Sequence, residues 1–238
     1  YRTLEPNSYV IYPYKLVGGK AHFIIEKDFK KKFPLAYTYL KANKKRLLER
    51  DIKPTPKTKN EWFRYGRSQY LELGEIQEKI IVGVLSSGQK YPIDFSKTLH
   101  TAGGTAGYCS IYLSSNNPYS IYYVQAVINS RYVEWVNSLK GEVFRGGYIS
   151  RGTKVLNNLP IRNIDFANPI DVDIHNRIVD LQKELIDTQF KIDQNQNNNR
   201  KLAPLKRTFD NLYSDMQTLL AELYNLGSDE ALIPQIEE

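Results

Sequence analysis

Three positive charges, two aliphatic hydroxyls and three glycines fall within ten residues at Arg145-Gly146-Gly147-Tyr148-Ile149-Ser150-Arg151-Gly152-Thr153-Lys154. Glycine lets a backbone approach a ligand closely. Arg145, Arg151 and Lys154 supply charge, while Tyr148, Ser150 and Thr153 supply directional hydrogen bonds. That mixture suits a loop entering a groove, with charge for phosphates and short polar groups for base edges. A second concentration is Glu61-Trp62-Phe63-Arg64-Tyr65-Gly66-Arg67-Ser68-Gln69-Tyr70. Arg64 and Arg67 carry the planar fork that reads guanine or clamps phosphate. The same residues also read as an aromatic mini-core with two surface arginines.

Other candidate chemistry is weaker. Asp28-Phe29-Lys30 and Asp51-Ile52-Lys53 match a nuclease-type Asp-x-Lys triplet, but both lie in lysine-rich segments where chance matches are frequent. His22, His100 and His175 have no metal-ligand spacing. His22 and His175 are expected at the surface or in packing, and His100 only weakly suggests a ligand. Gly103, Gly104 and Gly107 lack the Gly-Lys-Ser/Thr ending of a phosphate loop. No metal or cofactor ligand is assigned to the chain. Asn116-Asn117-Pro118-Tyr119 has the outline of an amino-methyltransferase motif without its second proline. Asn117 as a helix cap with proline in the first turn explains it more simply.

These segments need elements to hold them. Ile121, Val124, Ile128, Tyr132, Trp135 and Leu139 fall at steps of three and four, which predicts one continuous helix ended by Gly141 in a left-handed cap. Residues 9–17 read as an edge strand because of Pro13, with Gly18-Gly19 as a turn and Ala21–Ile25 as the return. Pro34 opens a helix expected to run to about Arg50, with Lys41, Lys44, Lys45, Arg46 and Arg50 on its polar side. Residues 53–60 form a proline-broken loop. Ile80–Leu85 reads as a buried strand, and Tyr108–Leu113 as a half-buried one with Cys109 facing in. Beyond a linker with Pro169, Ile174, Ile178, Leu181, Leu185 and Ile192 mark one helix. Leu202 to Leu223, with Pro204 in the first turn, mark a second. This is a helical hairpin of coiled-coil character whose apolar seam wants the first domain, another domain or a second copy of the chain.

The 238 residues suffice for one large or two modest domains, and no apolar run approaches membrane-spanning length. The lone Cys109 excludes an internal disulfide and fits a reducing compartment. The chain begins Tyr-Arg-Thr and reads as a segment of a longer or processed protein. Residues 1–165 hold 26 Lys and Arg against 13 Asp and Glu, whereas residues 166–238 hold 7 against 13. The expected organisation is therefore an α+β domain, 1–165, that binds a polyanion, followed by a helical hairpin, 166–238.

Trp-Phe-Arg-Tyr-Gly-Arg (62–67), Lys-Ile-Ile-Val (79–82), Ala-Val-Ile-Asn-Ser (126–130) and Tyr-Ile-Ser…Val-Leu-Asn-Asn-Leu-Pro-Ile (148–161) follow one another in an order that resembles the TaqI-like C-terminal specificity domain. That is the target recognition domain of adenine-N6 DNA methyltransferases and of fused type IIG restriction–modification enzymes. The likeness covers about residues 9–165, and the helical tail is similar to the spacer helices that follow such domains. The resemblance implies a recognition module for double-stranded DNA, not a catalyst, in a cytoplasmic prokaryotic protein. Its methyltransferase domain would lie N-terminal in the same polypeptide and hold S-adenosylmethionine there. The residues assigned to DNA contact are Arg64, Arg67, Arg145, Tyr148, Ser150, Arg151, Thr153 and Lys154. Two rival readings are a methyltransferase fragment working through Asn116–Tyr119, and a coiled-coil module that forms a homodimer through the hairpin.

Overall fold

The computed structural model describes residues 2–53, 59–67, 70–87, 91–100 and 107–233. The glycine-rich stretch at 101–106 and most of the proline-broken loop lie outside the described residues, as do Ser68 and Gln69. The fold is α+β and packs as two compact units, one of Pro6–Ile76 with Lys97–Ala102, the other of Tyr1–Glu5, Gln77–Ser96 and Gly103–Glu238.

The smaller unit starts with the hairpin β1 (Tyr14–Val17) and β2 (Lys20–Phe23). Gly18 and Gly19 both take positive φ, +56° and +74°. A two-residue hairpin turn needs that conformation to match strand twist. The strand is shorter than the sequence reading, since it begins only after Pro13, which has no N–H to give. Helices α1 (Glu26–Lys32), α2 (Pro34–Ala42) and α3 (Lys44–Leu48) follow. The single helix expected from Pro34 to Arg50 is broken at Asn43, whose side chain donates to the Tyr39 carbonyl at 2.9 Å and competes with helix continuation. Ile24, Phe29, Leu40, Trp62 and Phe63 form the core of this unit. Phe63 meets Phe23 at 4.8 Å and Phe29 at 5.1 Å between ring centroids.

In the larger unit, β3 (Lys79–Gly83) is the centre of a three-stranded antiparallel sheet. It lies between β5 (Ile93–Asp94) and β6 (Tyr108–Ile111). Its run Ile80-Ile81-Val82 is buried throughout, as an apolar run without alternation requires. Lys79 and Asp94 are cross-strand neighbours and form a fully buried ion pair of 2.8 Å. Directly after β3 the chain enters β4 (Leu85–Ser86), the edge of a second sheet completed by β7 (Val143–Phe144) and β8 (Tyr148–Ser150) in the order β4-β8-β7.

The long helix expected across 121–139 is two helices, α4 (Ile121–Ile128) and α5 (Arg131–Lys140). Ser130 makes the break: its Oγ accepts from the Val133 N–H at 3.2 Å and donates to the Val127 carbonyl at 2.7 Å, starting a new helix. The break changes the helical phase. Trp135 and Leu139 are therefore exposed, and α5 buries Arg131, Tyr132, Val133, Glu134 and Asn137 instead. The cap of α4 is Ser120, not Asn117: its side chain accepts from the Tyr122 N–H. Asn117 makes a local turn, accepting from the Tyr119 N–H.

A four-residue helix, α6 (Thr153–Leu156), leads to the long helices α7 (Pro169–Gln194) and α8 (Asn199–Leu223). Pro204 lies inside α8, not in its first turn, because Asn198 caps the helix earlier through the Lys201 N–H. α4 packs on α7, and Ile128, Ile164, Ile178, Leu185, Met216 and Leu220 share one hydrophobic core. The 165/166 boundary read from charge thus runs through a single core. Among the described residues no helix is long and apolar enough to cross a membrane.

Candidate nucleic-acid interface

The basic turn is the β7–β8 hairpin and the start of α6. Val143 pairs with Ile149 and Phe144 with Tyr148, so Arg145-Gly146-Gly147 is the loop. Gly146 and Gly147 have φ of +83° and +75°, a region in which side chains other than glycine are strained. Arg145, Tyr148, Thr153 and Lys154 are exposed. Beside the hairpin lies a half-open cleft of about 510 Å³, lined by Val84, Lys140, Phe144, Ser150, Lys154 and Asn158 among others. The cleft edge carries two lysines and one carboxylate, Glu142. Lys140 donates to the Asn158 carbonyl at 3.0 Å.

The base of the hairpin is fixed from three sides. Gly141 enters it with extended backbone, φ −79° and ψ 146°, and not in the left-handed cap that its position after the helix suggested. What demands glycine there is space: a Cβ would lie 2.3 Å from Ile149 Cγ2 and 2.7 Å from the Ser150 carbonyl oxygen. The Ser150 N–H donates to the Glu142 carbonyl at 2.9 Å, and Ser150 Oγ accepts from the Glu142 N–H at 3.2 Å. The Ser150 hydroxyl is thereby committed to the turn. On the other side the Arg151 N–H donates to the Val84 carbonyl at 2.6 Å.

Arg151 corrects the sequence reading most clearly. It is fully buried and has no surface with which to reach a base. Both terminal nitrogens of its guanidinium grip the Glu134 carboxylate of α5. Nη1 also donates to the Tyr91 hydroxyl at 3.2 Å, and Nε to Ser86 Oγ at 2.8 Å. Burial works against the guanidinium charge, but the Glu134 carboxylate and Tyr91 hold it above its ordinary pKa. Burial likewise pushes the Tyr91 phenol up to about 12. Asn137 closes the cluster by donating to Tyr91 Oη at 3.1 Å. The group is a polar rivet under the hairpin. Tyr91 and Glu134 were missed by sequence reasoning. Their one signal is a carboxylate and an arginine that both sit beside apolar positions.

The second cluster has an internal role. Trp62 and Phe63 are 2% and 3% exposed, which decides for the aromatic mini-core. Arg64 is half-buried and donates to Glu61 Oε2 at 2.6 Å, so its fork is already occupied at one end. Arg67 is exposed but pairs with Asp51 at 3.1 Å. Arg64 and Arg67 belong to the smaller unit, and the other six candidates to the larger.

In the rival motif Asn116, Asn117 and Pro118 are exposed, but its aromatic residue is engaged within the fold. The Tyr119 ring lies 5.1 Å from Phe166 and 5.6 Å from Tyr123, and its hydroxyl accepts from the Ile164 N–H at 2.8 Å. An aromatic that stacks on a flipped base would have to be open to that base. His175 sits in the same aromatic nest, where its Nε2 accepts from the Ser120 N–H at 3.2 Å. Among the described residues no group of three or more His, Cys, Asp or Glu is placed to hold a metal ion.

No protein-family model matches the chain. The chain is similar to an Escherichia coli protein named "Type II restriction enzyme and methyltransferase RM.Eco57I", with 41% identity over 240 aligned residues. The alignment takes in 100% of this chain and 24% of that protein, so the chain spans about a quarter of the length of the protein it matches.

Proposed function

We propose that the chain is the target recognition part of a restriction–modification polypeptide, and that its β7–β8 hairpin reads duplex DNA. The observation that carries this reading is a glycine-jointed, cationic hairpin standing in solvent on a buried Arg151–Glu134 pair. A reader must be held in one pose to discriminate bases, and the buried base of the hairpin provides that rigidity. Its exposed parts, Arg145 and Tyr148, with Thr153 and Lys154 beside the cleft, offer the donors and charge that a groove demands. The similarity to one part of a restriction enzyme and methyltransferase supports the context.

On this reading the chain does no chemistry itself. Methyl transfer, with its S-adenosylmethionine, belongs to an N-terminal methyltransferase domain of the same polypeptide in a prokaryotic cytoplasm. The hairpin holds the duplex while that domain receives the flipped adenine. The helices α7 and α8 serve as a spacer.

Fluorescence anisotropy with a cognate duplex and a random one tests the proposal. Arg145→Ala is expected to cost about 1–3 kcal/mol on cognate DNA and far less on random DNA. Lys154→Ala is expected to weaken both alike and to make the salt slope shallower by about 0.9. A hairpin that touches only phosphates predicts equal losses on both duplexes for Arg145→Ala as well, and identical affinities for both variants and the parent would reject the reading.

A further inference from the structure

The net positive charge of the chain does not come from the unit that carries the reading hairpin. The smaller unit, Pro6–Ile76 with Lys97–Ala102, contains 17 Lys and Arg against 7 Asp and Glu, whereas all other residues together contain 16 against 19. The first body thus carries a surplus of 10 positive charges and the second a deficit of 3. A division by sequence at residue 165 conceals this, because it places residues 77–165 with the basic side.

The surplus is displayed, not neutralised. On α1, Lys27, Lys30 and Lys31 stand at i, i+3 and i+4, one helical face, and all three are exposed. Phe29 on the same helix is 1% exposed and anchors it to the core. Lys41, Lys45 and Arg46 continue the exposed cations across the end of α2 and along α3. Among the described residues none of these six lies within ion-pair distance of a carboxylate, unlike Arg64 and Arg67 of the same unit, which hold Glu61 and Asp51. Lys30 rests 5.9 Å over the Tyr37 ring and stays exposed there.

We propose that this surface is a second, sequence-independent contact with duplex DNA, in which α1 to α3 neutralise backbone phosphates. DNA carries a charge about every 1.7 Å along its axis, so a row of unpaired ammonium groups releases counterions on binding it. Lysine, a flexible point charge, suits phosphate contact and lacks the fork that would read a base. The division of labour follows: a cationic hairpin on a unit without net positive charge discriminates, and a strongly cationic unit grips. The identity of the polyanion rests on the DNA-recognition reading, while the charge segregation does not. α2 also exposes Leu35 and Tyr39, so an anionic membrane is the rival occupant.

The test uses the full polypeptide with Lys27, Lys30, Lys31 and Lys41 changed together to Gln. None of the four side chains is buried, and circular dichroism with a thermal midpoint confirms the fold. Titration with a random-sequence duplex from low to moderate salt is expected to give at least a tenfold loss of affinity. The log–log salt slope should become shallower by about 0.9 per lost contact. The ratio of cognate to random affinity is expected to stay within about twofold of the parent. Lysine acetylation should be suppressed by random duplex at Lys30 and Lys31 and unchanged at Lys183 and Lys191, which pair with Asp180 and Asp187. An unaltered slope and affinity overturn the proposal, as does binding to phosphatidylserine vesicles without binding to duplex. A collapse of the cognate ratio also overturns it, by making these lysines readers. A parent that prefers no sequence would sink the recognition reading, yet leave the random-duplex slope to judge this one.

Discussion

Removing one partner of the Arg151–Glu134 pair is the perturbation that the structure defines most sharply. Arg151 has no solvent exposure, and the Glu134 side chain is 7% exposed. In Arg151→Met the carboxylate keeps, among the described residues, only a 3.3 Å bond from Asn137 Nδ2. An uncompensated buried charge of this kind costs about 3–5 kcal/mol. A chain of this size has a total stability of roughly 5–15 kcal/mol, so the loss is a large share of it. Glu134→Gln should cost a similar amount by orphaning the guanidinium. The double variant, with neither charge left, should be more stable than the sum of the singles predicts by about 2–3 kcal/mol. Urea unfolding followed by far-ultraviolet circular dichroism measures all four proteins, at constant m-value. If either single variant cost under about 1 kcal/mol, or the double equalled the sum, the rivet would be an incidental surface pair and the reasoning would fail.

Three further outcomes follow from the same geometry. Gly141→Ala should destabilise by about 1–3 kcal/mol through overpacking against Ile149 and Ser150, whereas Gly147→Ala, with open space around it, should cost about 1 kcal/mol from backbone strain alone; denaturant midpoints separate them. Burial pushes the Cys109 thiol up to about 11, so a thiol reagent at pH 8 should label the native chain far more slowly than the urea-unfolded one. Burial also pushes Tyr91, Tyr132 and Tyr224 up to about 12 from an ordinary 10, so the native state keeps protons that the unfolded state releases. Stability should then be intact below about pH 10 and fall as pH rises towards about 12, visible as a dropping thermal midpoint.

Much of the scaffold is legible in the sequence, because local signals and tertiary packing agree there. The glycine pair at 18–19, the apolar run at 80–82 and the two long helices each announce their own geometry. The helix at 121–140 shows where such reading fails. Its apolar steps of three and four are continuous across Asn129 and Ser130, yet the Ser130 hydroxyl restarts the helix and turns Trp135 outward. Period alone cannot register that phase change. Arg151 failed for a different reason. Its glycine-rich, cationic neighbourhood is that of a surface loop, and only a partner 17 positions earlier, Glu134, pays for its burial. The charge split at residue 165 follows sequence order, whereas the compact units join segments that are distant in sequence, so the two divide the chain differently.

The central claim is that the β7–β8 hairpin lies against base edges. A photo-crosslinking phenylalanine in place of Tyr148, a side chain 44% exposed at the end of the Arg145–Gly147 loop, tests it in the full polypeptide bound to a cognate duplex. The account predicts crosslinks on bases within the recognised sequence, at one or two fixed positions. Crosslinks scattered along the duplex, or none above those from an exposed position on α8 such as Lys206, would contradict it.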